Sequence, residues 1–255
     1  MSAGSRPRIL LTNDDGFDAP GLAALIEAMN PLGEIVVVAP DRERSAASHA
    51  LTLNRPLRVQ RVADRRYRID GTPTDCVHLA IDHLTGERLP DLVVSGINRG
   101  LNVGDDVTYS GTVAGALEGT LLHVPSIAIS VETTVEGGAD FEQAARFAPR
   151  VVDRVLRRGL EAGVLLNVNV PRAQAQGVRV TRQGTRRYRA TAEERIDPSG
   201  RPYYWIAGLD MTPTGEPDGD HQAISAGYIS ITPLQANMTD DSSLGKIADW
   251  GWEPA

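Results

Sequence analysis

The sequence predicts an α/β fold, a doubly wound and mostly parallel sheet with a protruding β-hairpin and a C-terminal extension. Three observations point there. Short apolar runs alternate with helical patterns over the first two thirds of the chain. Residues 34–38 (EIVVV) form a continuous apolar run of the kind buried on both faces of a parallel sheet. After Pro171 the alternation stops and turn-forming residues take over.

Residues 8–12 (RILLT) read as the first strand, ending in Asn-Asp-Asp-Gly. Pro20 and Gly21 open a helix whose apolar positions are Leu22, Leu25, Ile26 and Met29, and Gly33 closes it before the strand at 34–38, completing a βαβ unit. Strands are then expected at 57–62 and 67–69, a helix at 74–84, a strand at 91–95 and a helix at 111–122. A strand at 126–131, a helix at 141–158 and a strand at 164–168 extend the alternation. Residues 178–181 and 203–207 read as the two arms of a long hairpin with Asp197-Pro-Ser-Gly at its tip. Residues 223–232 (AISAGYISIT) read as a further strand, and 244–252 as a terminal helix. The expected division is a core at 1–172 and an extension at 173–255 of the sort that pairs between subunits.

Composition excludes several classes of function. A net charge of −7 in 255 residues opposes general binding to nucleic-acid backbones, which relies on Lys and Arg neutralising phosphates. The arginines between Arg172 and Arg201 are interrupted by Glu193, Glu194 and Asp197, and read as a solvated face or subunit contact. No apolar run approaches the roughly 18 residues of a membrane span, and residues 1–7 lack a signal-peptide core, so a cytoplasmic protein without membrane partners is expected. The single cysteine, Cys76, sits in an apolar helical context and reads as structural. There is no Walker A sequence and no Gly-x-Gly-x-x-Gly at the first helix.

Ligands of open α/β sheets bind beyond the carboxyl ends of the strands, which directs attention to three loops. The first carries Asp14 and Asp15, adjacent carboxylates whose repulsion a cation relieves. The second offers the Ser45 hydroxyl, and the third the Asn98 amide oxygen. Four hard oxygen donors suit Mg2+, Mn2+ or Ca2+ rather than zinc. Ser110, Gly111 and Thr112 stand directly before or within the start of a predicted helix, where backbone N–H groups and the helix dipole favour a phosphate. Asp-Asp-Gly is equally a turn sequence and Ser110 equally an ordinary N-cap, so each feature alone also has a purely structural reading.

Taken together, ILLTNDDG (9–16), APDRERSAAS (39–48), SGINRGLNVGDDVTYSGTVAGALEG (95–119) and GYISITPL (227–234) resemble the SurE family of survival-protein phosphatases over nearly the whole chain. The resemblance implies a Rossmann-like core, one divalent metal ion per subunit, hydrolysis of nucleoside 5′-monophosphates, and homodimers or homotetramers formed through exchanged C-terminal elements. Carried over by motif, its metal ligands fall on Asp14, Asp15, Ser45 and Asn98. His49 departs from the family pattern, which has Asn or another small polar residue there; without a partner visible in the sequence it reads as inert.

The mechanism expected is attack on phosphorus by a metal-activated water, with Asp14 and Asp15 as the catalytic carboxylates and Asn102, Ser110, Gly111 and Thr112 binding phosphate oxygens. Two other readings remain open at this point. An aspartyl-phosphate phosphatase also places a carboxylate after the first strand, although it uses Asp-x-Asp and a later lysine, whereas the only lysine here is Lys246. A non-catalytic nucleotide-binding or assembly module would keep the metal as a structural element.

Overall fold

A computed structural model describes residues 6–134, 136–187, 191–207, 212–214 and 216–252. In chain order the first half contains β1 (Arg8–Thr12), α1 (Pro20–Met29), β2 (Glu34–Pro40), β3 (Val59–Ala63), β4 (Arg66–Ile69), α2 (Pro73–Leu79), β5 (Leu92–Arg99) and α3 (Gly111–Leu121). It continues with β6 (Ser126–Val131), α4 (Glu142–Arg158), β7 (Val164–Val170), β8 (Val178–Val180), β9 (Thr185–Arg187), β10 (Thr191–Ile196) and β11 (Pro202–Ala207). The chain closes with β12 (Thr212–Thr214), α5 (Asp220–Ser225), β13 (Ile229–Gln235) and α6 (Asp241–Ala248).

Nine strands form one sheet in the order β3-β4-β2-β1-β5-β6-β7-β13-β8. The six from β4 to β7 are parallel, β3 is antiparallel at one edge, and β13 runs antiparallel to β7 before pairing in parallel with β8. Sheet direction of growth reverses at β1, which lies between β2 and β5, so the loops after β1 and β5 open side by side at the topological switch point.

Alternation along β1 explains why the sheet is covered on both faces. Ile9 and Leu11 pack with Leu22, Leu25 and Met29 of α1 and Phe147, Val151 and Val155 of α4. Leu10, pointing the other way, packs with Cys76 and Val77 of α2. Cys76 is fully buried and its thiol pKa is driven up by burial, in keeping with the structural role read from sequence. α2 starts on a capping box between Thr72 and Asp75, and its expected continuation to residue 84 is a wider π-helical turn at residues 80–84.

Two expectations for the second half are corrected. Residues 178–180 are not a hairpin arm but the sheet-edge strand β8; the hairpin pairs β10 with β11, from Thr191↔Ala207 to Ile196↔Pro202. Its tip is as read, with Asp197 accepting from the backbone N–H groups of Ser199 (2.8 Å) and Arg201 (2.9 Å). The strand expected at 223–232 begins only at Ile229, because Ala223 and Ile224 are buried on the short helix α5 and Gly227, at φ +78°, turns the chain between the two.

Candidate functional site

The first loop leaves β1 with Asp14 almost wholly buried, and burial pushes its carboxyl pKa up to about 6; the Thr112 hydroxyl and backbone N–H lower it, and Asp15 adds to the rise. Thr112 Oγ1 donates to Asp14 Oδ1. Asp15 is half-buried, and desolvation also raises its pKa, against the Arg99 backbone N–H that donates to Oδ2 at 3.1 Å. Protein donors thus hold Asp14 Oδ1 and Asp15 Oδ2 in place.

The other loops are tied to the first by backbone hydrogen bonds. Arg44 N–H donates to the Asp14 carbonyl at 2.7 Å, which sets the segment carrying Ser45. Gly16, at φ +101°, lies so near that segment that a Cβ would stand 3.0 Å from the Arg42 carbonyl carbon. Ser48 N–H in turn donates to the Tyr109 carbonyl at 3.2 Å, and Ser48 Oγ to the Thr108 carbonyl at 2.8 Å, joining the second loop to the third. Asn98 sits beyond a register shift in β5 between Ser95 and Asn98, the kind of bulge that re-aims a side chain. Its Nδ2 donates to the Gly100 carbonyl at 2.8 Å, leaving Oδ1 as an acceptor. Ser45 Oγ donates to Glu43 at 2.7 Å and keeps its lone pairs.

At the start of α3 the Ser110 hydroxyl accepts from Val113 N–H at 3.0 Å, which leaves its own proton to donate. Gly111 packs directly on Asp14, where a Cβ would lie 2.8 Å from both Asp14 Cβ and Oδ2. The helix N-terminus and the buried carboxylate therefore share one small region. Asn102 is buried: its Nδ2 donates to Ser130 at 2.8 Å, and its backbone carbonyl accepts from Asn167 (2.8 Å) and Asn169 (2.9 Å). One N–H of its amide is thereby used in fixing the loop.

The donor chemistry fits a hard divalent cation: two carboxylates, a hydroxyl and an amide oxygen. Among the described residues no group of three or more His, Cys, Asp and Glu side chains could hold a metal.

Comparison with known proteins decides the family. The family described as "Survival protein SurE" matches residues 9–190. The "5'-nucleotidase SurE" of Geotalea uraniireducens is 50% identical over 246 residues, covering 95% of this chain and 98% of that protein. The protein of the same name from Myxococcus xanthus is 49% identical, covering 95% and 93%. The crystal structure of the SurE protein from Aquifex aeolicus superposes with a TM-score of 0.85 at 43% identity, covering 95% of this chain and 99% of that one. The chain belongs to the SurE family.

Within this SurE-family fold two groups stand beside the site that the sequence did not disclose. Glu118, on α3, is buried between two imidazoles: His49 Nε2 lies 2.8 Å from one carboxylate oxygen and His78 Nδ1 lies 2.7 Å from the other. Burial opposes ionisation of Glu118, and the hydrogen bonds from the two histidines outweigh it, holding the carboxyl below its ordinary value. His49, which reads as partnerless in sequence, thus has a fixed partner. Asp220 is fully buried and accepts from the backbone N–H groups of Gly104 (2.9 Å), Gly184 (3.1 Å) and His221 (2.7 Å). It ties the third loop to the C-terminal extension. Nothing local marks Asp220, which stands in a polar stretch before the strand expected at 223–232.

Proposed function

We propose that the chain is a divalent-metal-dependent 5′-nucleotidase, hydrolysing nucleoside 5′-monophosphates to nucleoside and phosphate, and acting in the cytoplasm. The observation that carries the reading is the packing of the α3 N-terminus directly on the buried Asp14 carboxylate. A cation neutralising that carboxylate and a helix start attracting a phosphate then act on one substrate group. The names of the relatives support the same activity.

Asp14, Asp15, Ser45 and Asn98 would hold Mg2+ or Mn2+, with Ca2+ able to occupy the same oxygen set. When bound, the cation supplies Lewis-acid polarisation of a phosphoryl oxygen and acidifies water. The chain's own groups do the positioning. Thr112 Oγ1 and the Arg99 N–H each occupy one carboxylate oxygen, so Asp14 and Asp15 hold a single orientation. Ser110 donates its hydroxyl proton to a phosphate oxygen, together with the N–H of Gly111 and the second Nδ2 hydrogen of Asn102. Thr112, whose hydroxyl and N–H both act on Asp14, positions that carboxylate instead.

The chain divides by role into a core of residues 1–172 and an extension of 173–255 that supports assembly as a homodimer or homotetramer. Two features support this. No residue of α6 is buried, and Trp205, Ile206, Trp250 and Trp252 present large exposed apolar surfaces. Among the described residues no helix is long and apolar enough to cross a membrane.

Phosphate release from AMP, GMP, CMP and UMP by purified protein tests the activity. Turnover with Mn2+ or Mg2+, its loss in chelator, and its loss in Asp14→Asn are expected. Folded, metal-loaded protein that releases no phosphate from any of the four would instead establish a binding module.

A further inference from the structure

We propose that the cavity running from Ser110 to His49 receives the nucleoside of the substrate, and that His49, held by Glu118, is its specificity-determining residue. The inference rests on the nucleotidase reading above and adds where the leaving group lies and what recognises it.

The cavity measures about 320 Å³ and is lined by His49, Ser110, Val113, Leu117, Gln183 and Met238, among others. That volume is at the lower end of the roughly 300–1,000 Å³ of small-molecule sites, and its apolar walls with a few polar groups match their usual lining. Ser110 belongs to both places: it caps α3 next to the Gly111 that touches Asp14, and it lines the cavity. A phosphate held at the start of α3 therefore has its ester beside the cavity. Ser110, Val113, Ala114 and Leu117 recur at helical spacing along one face of α3, giving a floor about 10 Å long.

His49 forms part of the wall, with its side chain 30% exposed and its Nε2 fixed 2.8 Å from Glu118. An ionised carboxylate only accepts hydrogen bonds, so both imidazoles must present an N–H to it. For a neutral His49 this places the proton on Nε2 and leaves Nδ1 as an acceptor for a sugar hydroxyl or an exocyclic amine of the base. His78, on the opposite carboxylate oxygen, keeps Glu118 from turning toward the substrate and is a positioning residue.

Steady-state kinetics on AMP and on p-nitrophenyl phosphate, which has no ribose or base, test the proposal in Mn2+-loaded wild type, His49→Ala, His49→Asn and Leu117→Trp. Losing one hydrogen bond of ordinary strength corresponds to about tenfold. The KM for AMP is expected to rise about tenfold in His49→Ala, with kcat changing less and the effect on p-nitrophenyl phosphate several times smaller. His49→Asn, which can donate to Glu118 and still accept, is expected to recover part of the loss, and Leu117→Trp to discriminate against AMP by filling the cavity. Equal losses on both substrates, or none on either, in variants with wild-type thermal unfolding would overturn the nucleoside assignment while leaving the phosphatase standing. A wild type that hydrolyses p-nitrophenyl phosphate but not AMP would overturn the nucleotidase reading and this proposal with it.

Discussion

Thr112 donates its hydroxyl to Asp14 Oδ1 while Gly111, one residue earlier, leaves no room for a methyl group against the same carboxylate. The two residues hold Asp14 from both sides, one by a hydrogen bond and one by the absence of a side chain. Gly111→Ala would place a Cβ 2.8 Å from Asp14 Cβ and Oδ2, inside any permitted contact, at a helix position where alanine itself is favourable. Folding should therefore survive while the carboxylate shifts by a fraction of an ångström to an ångström. Misplacement on that scale costs about 10²-fold in rate. The check is kcat/KM for AMP alongside a thermal melt; full activity in the folded variant would show that Asp14 does not need its present position.

Asp14 also makes the metal-free protein sensitive to pH. Its pKa rises from 3.8 to about 6, chiefly because burial disfavours the charged form. A group whose folded pKa is raised binds its proton more tightly in the folded state. The stability it confers is complete below pH 3.8 and is lost as pH rises through about 6. The total is about 3 kcal/mol, of which about 2 kcal/mol falls between pH 4.5 and 7. Desolvation of Asp15 acts in the same direction. In chelator, wild type should lose stability relative to Asp14→Asn by about this amount on going from pH 4.5 to 7, and saturating Mn2+ should reverse the loss. Urea titrations at the two pH values measure it. Parallel profiles for the two proteins would contradict it.

Asp220 links the third loop to the C-terminal extension through three backbone N–H groups, with no arginine or lysine among its partners in the described residues. Asp220→Asn preserves shape but turns half of the side chain into a donor facing donors. Leaving buried N–H groups unsatisfied costs about 1–3 kcal/mol. The denaturation midpoint should fall accordingly, and the KM for the nucleotide should rise, since Gly104 and Gln183 belong to the same junction. A stability loss with unchanged kinetics would confine Asp220 to the fold alone.

What could be read from the sequence follows from how local each signal is. The unit β1–α1–β2 was legible because strands buried on both faces are continuous apolar runs and the intervening helix carries its own start and stop residues. Asp14, Asp15, Ser45 and Asn98 were singled out because the sequence predicts their loops to follow strands, and the family motifs mark the same four; in the structure Asn98 lies within β5, beyond its register shift. The hairpin partner was misread because Val178 and Val180 alternate as any edge strand does, and pairing with Ile229–Ile231 is set by distant residues. Residues 223–225 show the usual ambiguity of a short apolar run, which is helix or strand according to what covers it. The His49–Glu118–His78 cluster spans separations of 69 and 40 residues and leaves no local pattern at all.

The extension carries apolar surface that a monomer leaves in water. Ile206 is 83% exposed on β11, neighbouring Trp205 and Tyr204 are exposed as well, and α6 is followed by Trp250 and Trp252 with ring centroids 5.8 Å apart. Burying one large apolar side chain is worth about 1.5–3 kcal/mol, so several together provide enough to hold subunits in contact. Light scattering on the purified protein should give a mass that is an even multiple of the chain's. Ile206→Glu combined with Trp250→Ser should shift that mass downward, because a charge on the hairpin and a lost indole after α6 remove attraction without touching the nine-stranded sheet. If the double variant keeps the wild-type mass, the exposed residues are not the contact. If wild type is itself monomeric at micromolar concentration, the extension serves some other surface.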